Sequence, residues 1–209
     1  MIFRPSVLRH YSALLKQNKI GILAGDTIWG ISGRLTDETV LRIQHLKKRE
    51  RNRPFLIVVS HPSMAQSYCK KWEAWQKRVI KQVWPGPITL IFYKRSGIDP
   101  NLTGGRETIA IRYPFYAPLN YLLMEVKEPL VSTSLNMSSS LPEKRELKIP
   151  ETLSENVDFV CTEYGPLYKE ESTIMDCTEY PPRIVREGLM KCYPDLKELY
   201  ESLCMPIID

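Results

Sequence analysis

The sequence predicts an α/β fold: a mixed β-sheet with helices packed on it. Apolar runs of strand length recur along the chain, and stretches with the three-to-four-residue apolar spacing of helices alternate with most of them. Toward the C-terminus the strands are joined by loops instead of helices, so the sheet is expected to be mixed. The 209 residues show no internal repeat and no long linker, so 1–209 reads as one domain.

In order, residues 5–18 predict a helix with Val7, Leu8, Tyr11, Leu14 and Leu15 on one face. "KIGILAG" is a short buried strand closed by Gly25. "LTDETVLRIQHLKKR" is a helix: Asp37 is a fair N-cap, Val40, Ile43 and Leu46 share a face, and basic residues sit at the negative end of its dipole. "PFLIVVS" is a strand. Helical patterns follow around 62–70 and 73–82, stopped by "WPGP". "ITLIFY" is the next strand, and 94–107 a glycine-containing loop. "TIAIR" is a strand, "PLNYLLMEV" a helix and "PLVSTS" a strand. After a polar loop at 138–150, "VDFVC", "STIMDC" and "RIVRE" read as strands and "PDLKELYESL" as a helix.

Charged residues make up 25% of the chain and apolar ones 43%, an ordinary globular balance. A chain this long can bury a core without disulfides or metals. The net charge of +5 permits phosphate-bearing partners without requiring them. Its placement says more, because Lys47, Lys48, Arg49, Arg51 and Arg53 crowd into one short run. The five cysteines are odd in number and none is spaced C-x-x-C, which suits reduced thiols in a cytoplasmic protein. His10, His45 and His61 are not near paired cysteines, so no metal ligands are expected. No apolar run approaches ~18 residues, so no membrane association is expected. The N-terminus has no signal-peptide core.

Ligands of α/β sheets gather at strand ends. "GDTIWG" at 25–30 offers Asp26, Thr27 and the aromatic wall of Trp29, although alone it reads as an ordinary strand-to-helix turn. In "LKKRERNRP", Lys47 and Arg49 lie two apart before Pro54. In extended chain they would point the same way and could clamp a polyphosphate, although taken alone a solvated helix C-terminus is the preferred explanation. "WPGP" is a rigid turn. Arg112 ends "TIAIR", where it could take a carboxylate or a surface ion pair. "PLVSTSLNMSSS" starts as a buried strand and ends in hydroxyls. Ser134 and Asn136 have period-two spacing, and their neutral donors and acceptors suit a nucleotide, or else the hydroxyls form turns and cap backbone groups. "ESTIMD" repeats the theme with Ser172 and Thr173. Neither a P-loop nor a Rossmann fingerprint is present. The groups fit a reaction driven by positioning and phosphate electrostatics.

In order, "AGDTIWGI", "KKRERNRP", "WPGPIT", "TIAIRYP", "STSLNMSS", "ESTIMD" and "VREG" resemble the motifs of the YrdC/TsaC family of threonylcarbamoyl-AMP synthases, over about 20–188. The resemblance implies a twisted α/β sheet with a positively charged concave face. It implies a synthase joining L-threonine, bicarbonate or CO2 and ATP into threonylcarbamoyl-AMP with release of pyrophosphate, Mg2+ bridging the phosphates. A downstream transferase complex would pass the group to tRNA beside the anticodon, and double-stranded RNA or tRNA could bind. By matching positions, Lys47, Arg49, Ser134, Asn136 and Arg186 would hold ATP, with Lys47 and Arg49 as the catalytic clamp. Thr27, Arg112 and Ser172 would hold threonine.

Against the family pattern, Gly25 stands for a Thr, Ala24 for a Pro, Leu135 for an Ala and Ser139 for a Gly. Tyr116 stands about where many members carry a His. "STSL" and "VREG" also resemble the YciO-type paralogues, so a nucleotide- or RNA-binding paralogue without turnover is the alternative. Those paralogues tend to lack the two pairs, Lys47 with Arg49 and Ser134 with Asn136, that this chain keeps. At 209 residues, the second domain of longer members is not expected here.

Overall fold

The computed structural model describes residues 4–135, 149, 151–168 and 170–205. Helix α1 (Pro5–Lys16) precedes β1 (Gly21–Ala24) and β2 (Trp29–Arg34). Next come α2 (Asp37–Leu46), β3 (Leu56–Val58), α3 (Pro62–Gln66), α4 (Ala74–Val83), β4 (Ile88–Tyr93), α5 (Pro100–Thr103) and β5 (Thr108–Arg112). Then follow α6 (Ala117–Val126), β6 (Leu130–Ser134), α7 (Glu151–Ser154), β7 (Phe159–Val160), β8 (Thr173–Asp176) and β9 (Arg183–Arg186). A 3₁₀ turn at Gly188–Lys191 and α8 (Pro194–Cys204) complete the described chain. Among the described residues no helix is long and apolar enough to cross a membrane.

The strands form one sheet of order β7-β1-β2-β6-β3-β5-β4-β8-β9, with β1–β7, β3–β5 and β4–β8 parallel and the other neighbours antiparallel. The mixed α/β sheet expected from sequence is therefore what forms. Three local readings differ. The "GDTIWG" turn leads into β2 and not into a helix. Its strand "WGISGR" is hard to see because two glycines break the apolar pattern. Both sit where a neighbour comes close: a Cβ on Gly30 would stand 2.9 Å from the Thr133 carbonyl oxygen, and one on Gly33 2.7 Å from Thr39 Cγ2. The loop 94–107 contains α5, capped by Asp99 accepting from the Asn101 N–H at 2.7 Å. Helix α3 ends at Gln66, short of residue 70.

The register sorts side chains by face, because neighbours in register share a side and the side alternates along each strand. Val131, Ile57 and Ile111 lie in one row and belong to the main apolar core, with Ile22, Ile31, Leu90 and Met175. Burying a side chain of that size contributes about 1.5–3 kcal/mol. The other face is divided. Leu130 and Val58 join Leu8 and Leu15 of α1 and Leu119, Leu122 and Leu123 of α6 in a second core. Beyond that cover the same face carries several small or polar groups, with Ile91 and Ile174 among them. Ser32 pairs with Ser132 and Gly30 with Ser134, and Ser132 Oγ accepts from Ser32 Oγ at 2.9 Å. Arg112 is in register with Val58 on this face. Ile91 is opposite Ala110, which puts Thr89 on it too. Ile174, paired with Thr89, is opposite Arg186. Register alone therefore gathers Ser134, Arg112, Thr89 and Arg186 on one side of the sheet.

Candidate active site

Arg112 closes β5, and its position is fixed from behind. The residue after it, Tyr113, accepts the Gly86 N–H of the "WPGP" turn at 2.8 Å, and Trp84 Nε1 donates to the Ile88 carbonyl at 2.8 Å. The guanidinium reaches the β1–β2 turn. Nη1 donates to Thr27 Oγ1 at 2.6 Å, and Nη2 lies 3.3 Å from Asp26 Oδ1. In a flat sheet β5 and β1 would stand roughly 19 Å apart, four strand spacings. The contact therefore requires the sheet to curl and the turn to lie over its polar face. Asp26 is fully buried and Arg112 is 6% exposed. The turn is pinned by the Leu167 and Tyr168 N–H groups, both donating to the Asp26 carbonyl at 2.9 Å. Burial pushes the Asp26 carboxyl above the ordinary carboxylate range, and the charge of Arg112 opposes that without cancelling it.

The second group is built on β8 and β9. Ser172 Oγ and Thr89 Oγ1 share a hydrogen bond at 2.9 Å, both side chains being buried. Arg186 donates from Nε to the Ser172 carbonyl at 3.1 Å and from Nη2 to Ser172 Oγ at 3.0 Å, while Nη1 lies 2.9 Å from Glu171 Oε2. Burial lowers the Arg186 pKa. Glu171 raises it and the charge of Arg112 adds to the lowering, so the two guanidinium groups act on each other.

The third group lies where α2 meets the end of β6. Residues 47–49 are not extended, as the sequence reading supposed. They form the helix stop: Lys48 takes a left-handed conformation at φ 46°, its N–H bonds the His45 carbonyl at 3.0 Å, and the Arg49 N–H bonds the Gln44 carbonyl at 2.9 Å. This is a Schellman closure with a lysine where glycine is usual. It sends Lys47 Nζ to the carbonyls of Ser134 and Leu135, at 3.0 and 3.2 Å. Arg49 stacks over Phe55, 4.8 Å from the ring centre, and donates to the Pro54 carbonyl at 2.6 Å and to Thr133 Oγ1 at 3.4 Å. Burial and then the charges of Arg49 and Arg53 bring the Lys47 pKa down to about 8. Burial, with Arg53, lowers that of Arg49 also.

A family model described as "Telomere recombination", Sua5_yciO_yrdC, matches residues 13–188. The chain belongs to the Sua5/YciO/YrdC family. It is similar to the threonylcarbamoyl-AMP synthase of Pyrococcus abyssi, 25% identical over 182 residues that cover 87% of this chain and 54% of that protein. The synthase of Idiomarina loihiensis is 30% identical over 150 residues, covering 69% of this chain and 81% of that one. The chain thus spans about half the length of the Pyrococcus relative. The solved structure of P. abyssi Sua5 complexed with L-threonine superposes with a TM-score of 0.81 at 24% identity, covering 90% of this chain and 56% of that one. It establishes the shared fold.

Within the family fold, Thr27 and Arg112 are in direct contact, and Ser172 and Arg186 are in direct contact. Lys47 meets the main chain at Ser134, and Arg49 lies beside Thr133. Asn136 lies outside the described residues. Ser134 shares its face of the sheet with Arg112. Two residues that contact the candidate site residues drew little weight in the sequence. Asp26 was visible only as one polar residue of its turn, and Thr89 inside "PGPITL" reads as a strand residue. A buried carboxylate signals itself through its ion partner, here 86 positions away. Tyr116 is buried and donates to the Gly165 carbonyl at 2.8 Å, so this position braces the 165–168 segment against the turn.

Proposed function

We propose that the chain is a threonylcarbamoyl-AMP synthase, joining L-threonine, CO2 or bicarbonate, and ATP with release of pyrophosphate. The observation that carries this is the face on which register places Ser134, Arg112, Thr89 and Arg186, with Lys47 reaching the end of β6 at Ser134 and Arg49 meeting the next residue back, Thr133, from the other side of the sheet. Such a face separates a phosphate end from a carboxylate end. Lys47 and Arg49, with Ser134 and Asn136, would hold the ATP phosphates and withdraw charge as pyrophosphate leaves. Arg186 would contact the nucleotide phosphate beside Ser172. Arg112, Thr27 and Ser172 would seat threonine, the guanidinium taking its carboxylate.

The threonine nitrogen would attack CO2 to give a carbamate, whose oxygen then attacks the α-phosphorus. Positioning supplies most of the rate, since the chemistry needs no covalent enzyme intermediate. Among the described residues no three His, Cys, Asp or Glu converge. Mg2+, when bound with the nucleotide, would supply positive charge that offsets the phosphates as pyrophosphate leaves. The product would pass to a transferase that modifies tRNA beside the anticodon.

The test is incubation of purified protein with ATP, Mg2+, L-threonine and labelled bicarbonate, with serine and no-amino-acid controls. A labelled adenylate and pyrophosphate that depend on threonine are expected. ATP binding without product would turn the reading to a nucleotide-binding paralogue.

A further inference from the structure

Asp26 and Arg112 each use part of their polar surface to hold one another and leave part over. Asp26 Oδ1 faces Arg112 Nη2 and accepts the Thr27 N–H at 3.0 Å, and the Asp26 and Phe115 N–H groups also act on the carboxylate, whereas Asp26 Oδ2 is buried and makes no hydrogen bond of good geometry. Arg112 Nη1 is spent on Thr27, whereas its Nε is buried without a partner. Unmatched buried donors and acceptors are rare and costly, and they mark places where a ligand completes the bonding. Gly25 allows the pair to close: a Cβ there would stand 3.1 Å from Arg112 Nη2 and 3.2 Å from the Ile28 carbonyl oxygen.

We propose that Asp26 and Arg112 form a receptor for an α-amino-acid zwitterion, in which Arg112 takes the carboxylate and Asp26 Oδ2 takes the ammonium group and its first proton. The inference rests on the proposed function, which seats threonine at Arg112, and adds Asp26 as a catalytic residue touching the reacting nitrogen. Unliganded, the receptor's two charges neutralise each other. An amino acid offers the complementary pair in the same order, so each buried charge keeps a counter-charge when the ligand enters.

The proton step balances. One ammonium N–H bond breaks and an O–H bond forms on Oδ2, leaving a neutral amine. Its lone pair attacks the carbon of CO2, the C–N bond forms as a C–O π pair moves onto oxygen, and the second nitrogen proton leaves to solvent. An ammonium bound to an ion pair alone would keep its protons and could not attack. Burial prepares Asp26 to accept one, by raising its proton affinity despite Arg112. The other titratable groups that act on the pair are Tyr116, whose hydroxyl is committed to Gly165, and Arg186, which acts on Arg112.

The test compares L-threonine with (R)-3-hydroxybutyrate, the same molecule without its amine, by calorimetry. Wild-type protein is expected to favour threonine by about 30-fold or more, and Asp26→Asn to lose most of that preference. Asp26→Glu should recover part of it and keep a pH-dependent rate, which Asp26→Asn should flatten. Equal binding of the two ligands by wild-type protein, or unchanged discrimination in Asp26→Asn, would overturn the proposal without any need for the variant to be active. Failure of the synthase reading looks different: wild-type protein would discriminate the amine and still form no adenylate.

Discussion

Arg186 meets Ser172 twice, through Nε on its carbonyl and Nη2 on its hydroxyl, while Nη1 lies against Glu171. One guanidinium, proposed to contact the nucleotide, thus fixes both the main chain and the side chain of a residue proposed to seat threonine. Arg186→Lys keeps the charge but cannot make the fork. Charge-assisted bonds of this kind contribute about 1.5–3 kcal/mol each, so a loss of kcat/KM of roughly 10–100-fold is expected. It should fall on threonine as well as ATP. Steady-state titration of each substrate checks it, and an effect confined to ATP would remove Ser172 from Arg186's role.

Gly188 holds the same group from behind. Its φ is +48°, and a Cβ there would lie 2.4 Å from the Ser172 carbonyl oxygen and 2.5 Å from that of Glu171. Both atoms are backbone, so the clash cannot be relieved by a rotamer change. Gly188→Ala combines left-handed strain of about 1–2 kcal/mol with overpacking of about 1–3 kcal/mol. The expected result is a melting temperature lower by roughly 4–20 °C together with weakened threonine use. Calorimetric melting and a threonine titration measure the two. Unchanged melting would mean that the 186–188 backbone shifts freely.

What the sequence showed depended on how local each signal was. Strands β3 to β6 were legible because they are short apolar runs between turn residues. Strand β2 was missed because Gly30 and Gly33, needed for close approach to β6 and to Thr39, erase the apolar alternation. The stop of α2 was hidden because Lys48, and not a glycine, takes the left-handed position. Of the candidate site, the motif order pointed to Lys47, Arg49, Thr27, Arg112, Ser172 and Arg186. The pairing of Asp26 with Arg112 was not legible, since it depends on how the sheet curls. No residue pattern encodes a carboxylate left half-satisfied.

Removing Arg112 should cost stability as well as substrate. It would leave Asp26 buried without its cation, a change that typically costs about 3–5 kcal/mol, or roughly 6–20 °C of melting temperature in a chain this long. Arg112→Gln should show that loss, and adding Asp26→Asn should restore part of it, with a coupling of about 1–3 kcal/mol. The pH trend has a definite sign. Asp26 already binds its proton more tightly folded than unfolded, and losing Arg112 strengthens that. Stability from this group is therefore present at low pH and lost as pH rises through the raised folded value. Arg112→Gln should melt higher at pH 5 than at pH 8 by more than wild type does. Additive single effects with no pH difference would show that the ion pair is not coupled.

Lys47 should make nucleotide affinity depend on pH near neutrality. Its ammonium is brought down to about 8 by burial and by Arg49 and Arg53. Below that pH it carries its charge and can hold a phosphate; above it the charge is lost. KM for ATP in wild-type protein is expected to rise from about pH 8, approaching tenfold per pH unit, while Lys47→Arg, which stays protonated, should remain flat. Ligand-free stability moves the other way. A lysine whose folded pKa is depressed binds its proton more weakly folded than unfolded, so this group adds stability as pH rises from about 8 toward its ordinary value of 10.5. ATP binding near pH 8.5 should then take up a proton, read as a dependence of the calorimetric heat on buffer ionisation. A KM for ATP that is constant from pH 7 to 9.5 in wild-type protein would take Lys47 out of the phosphate site.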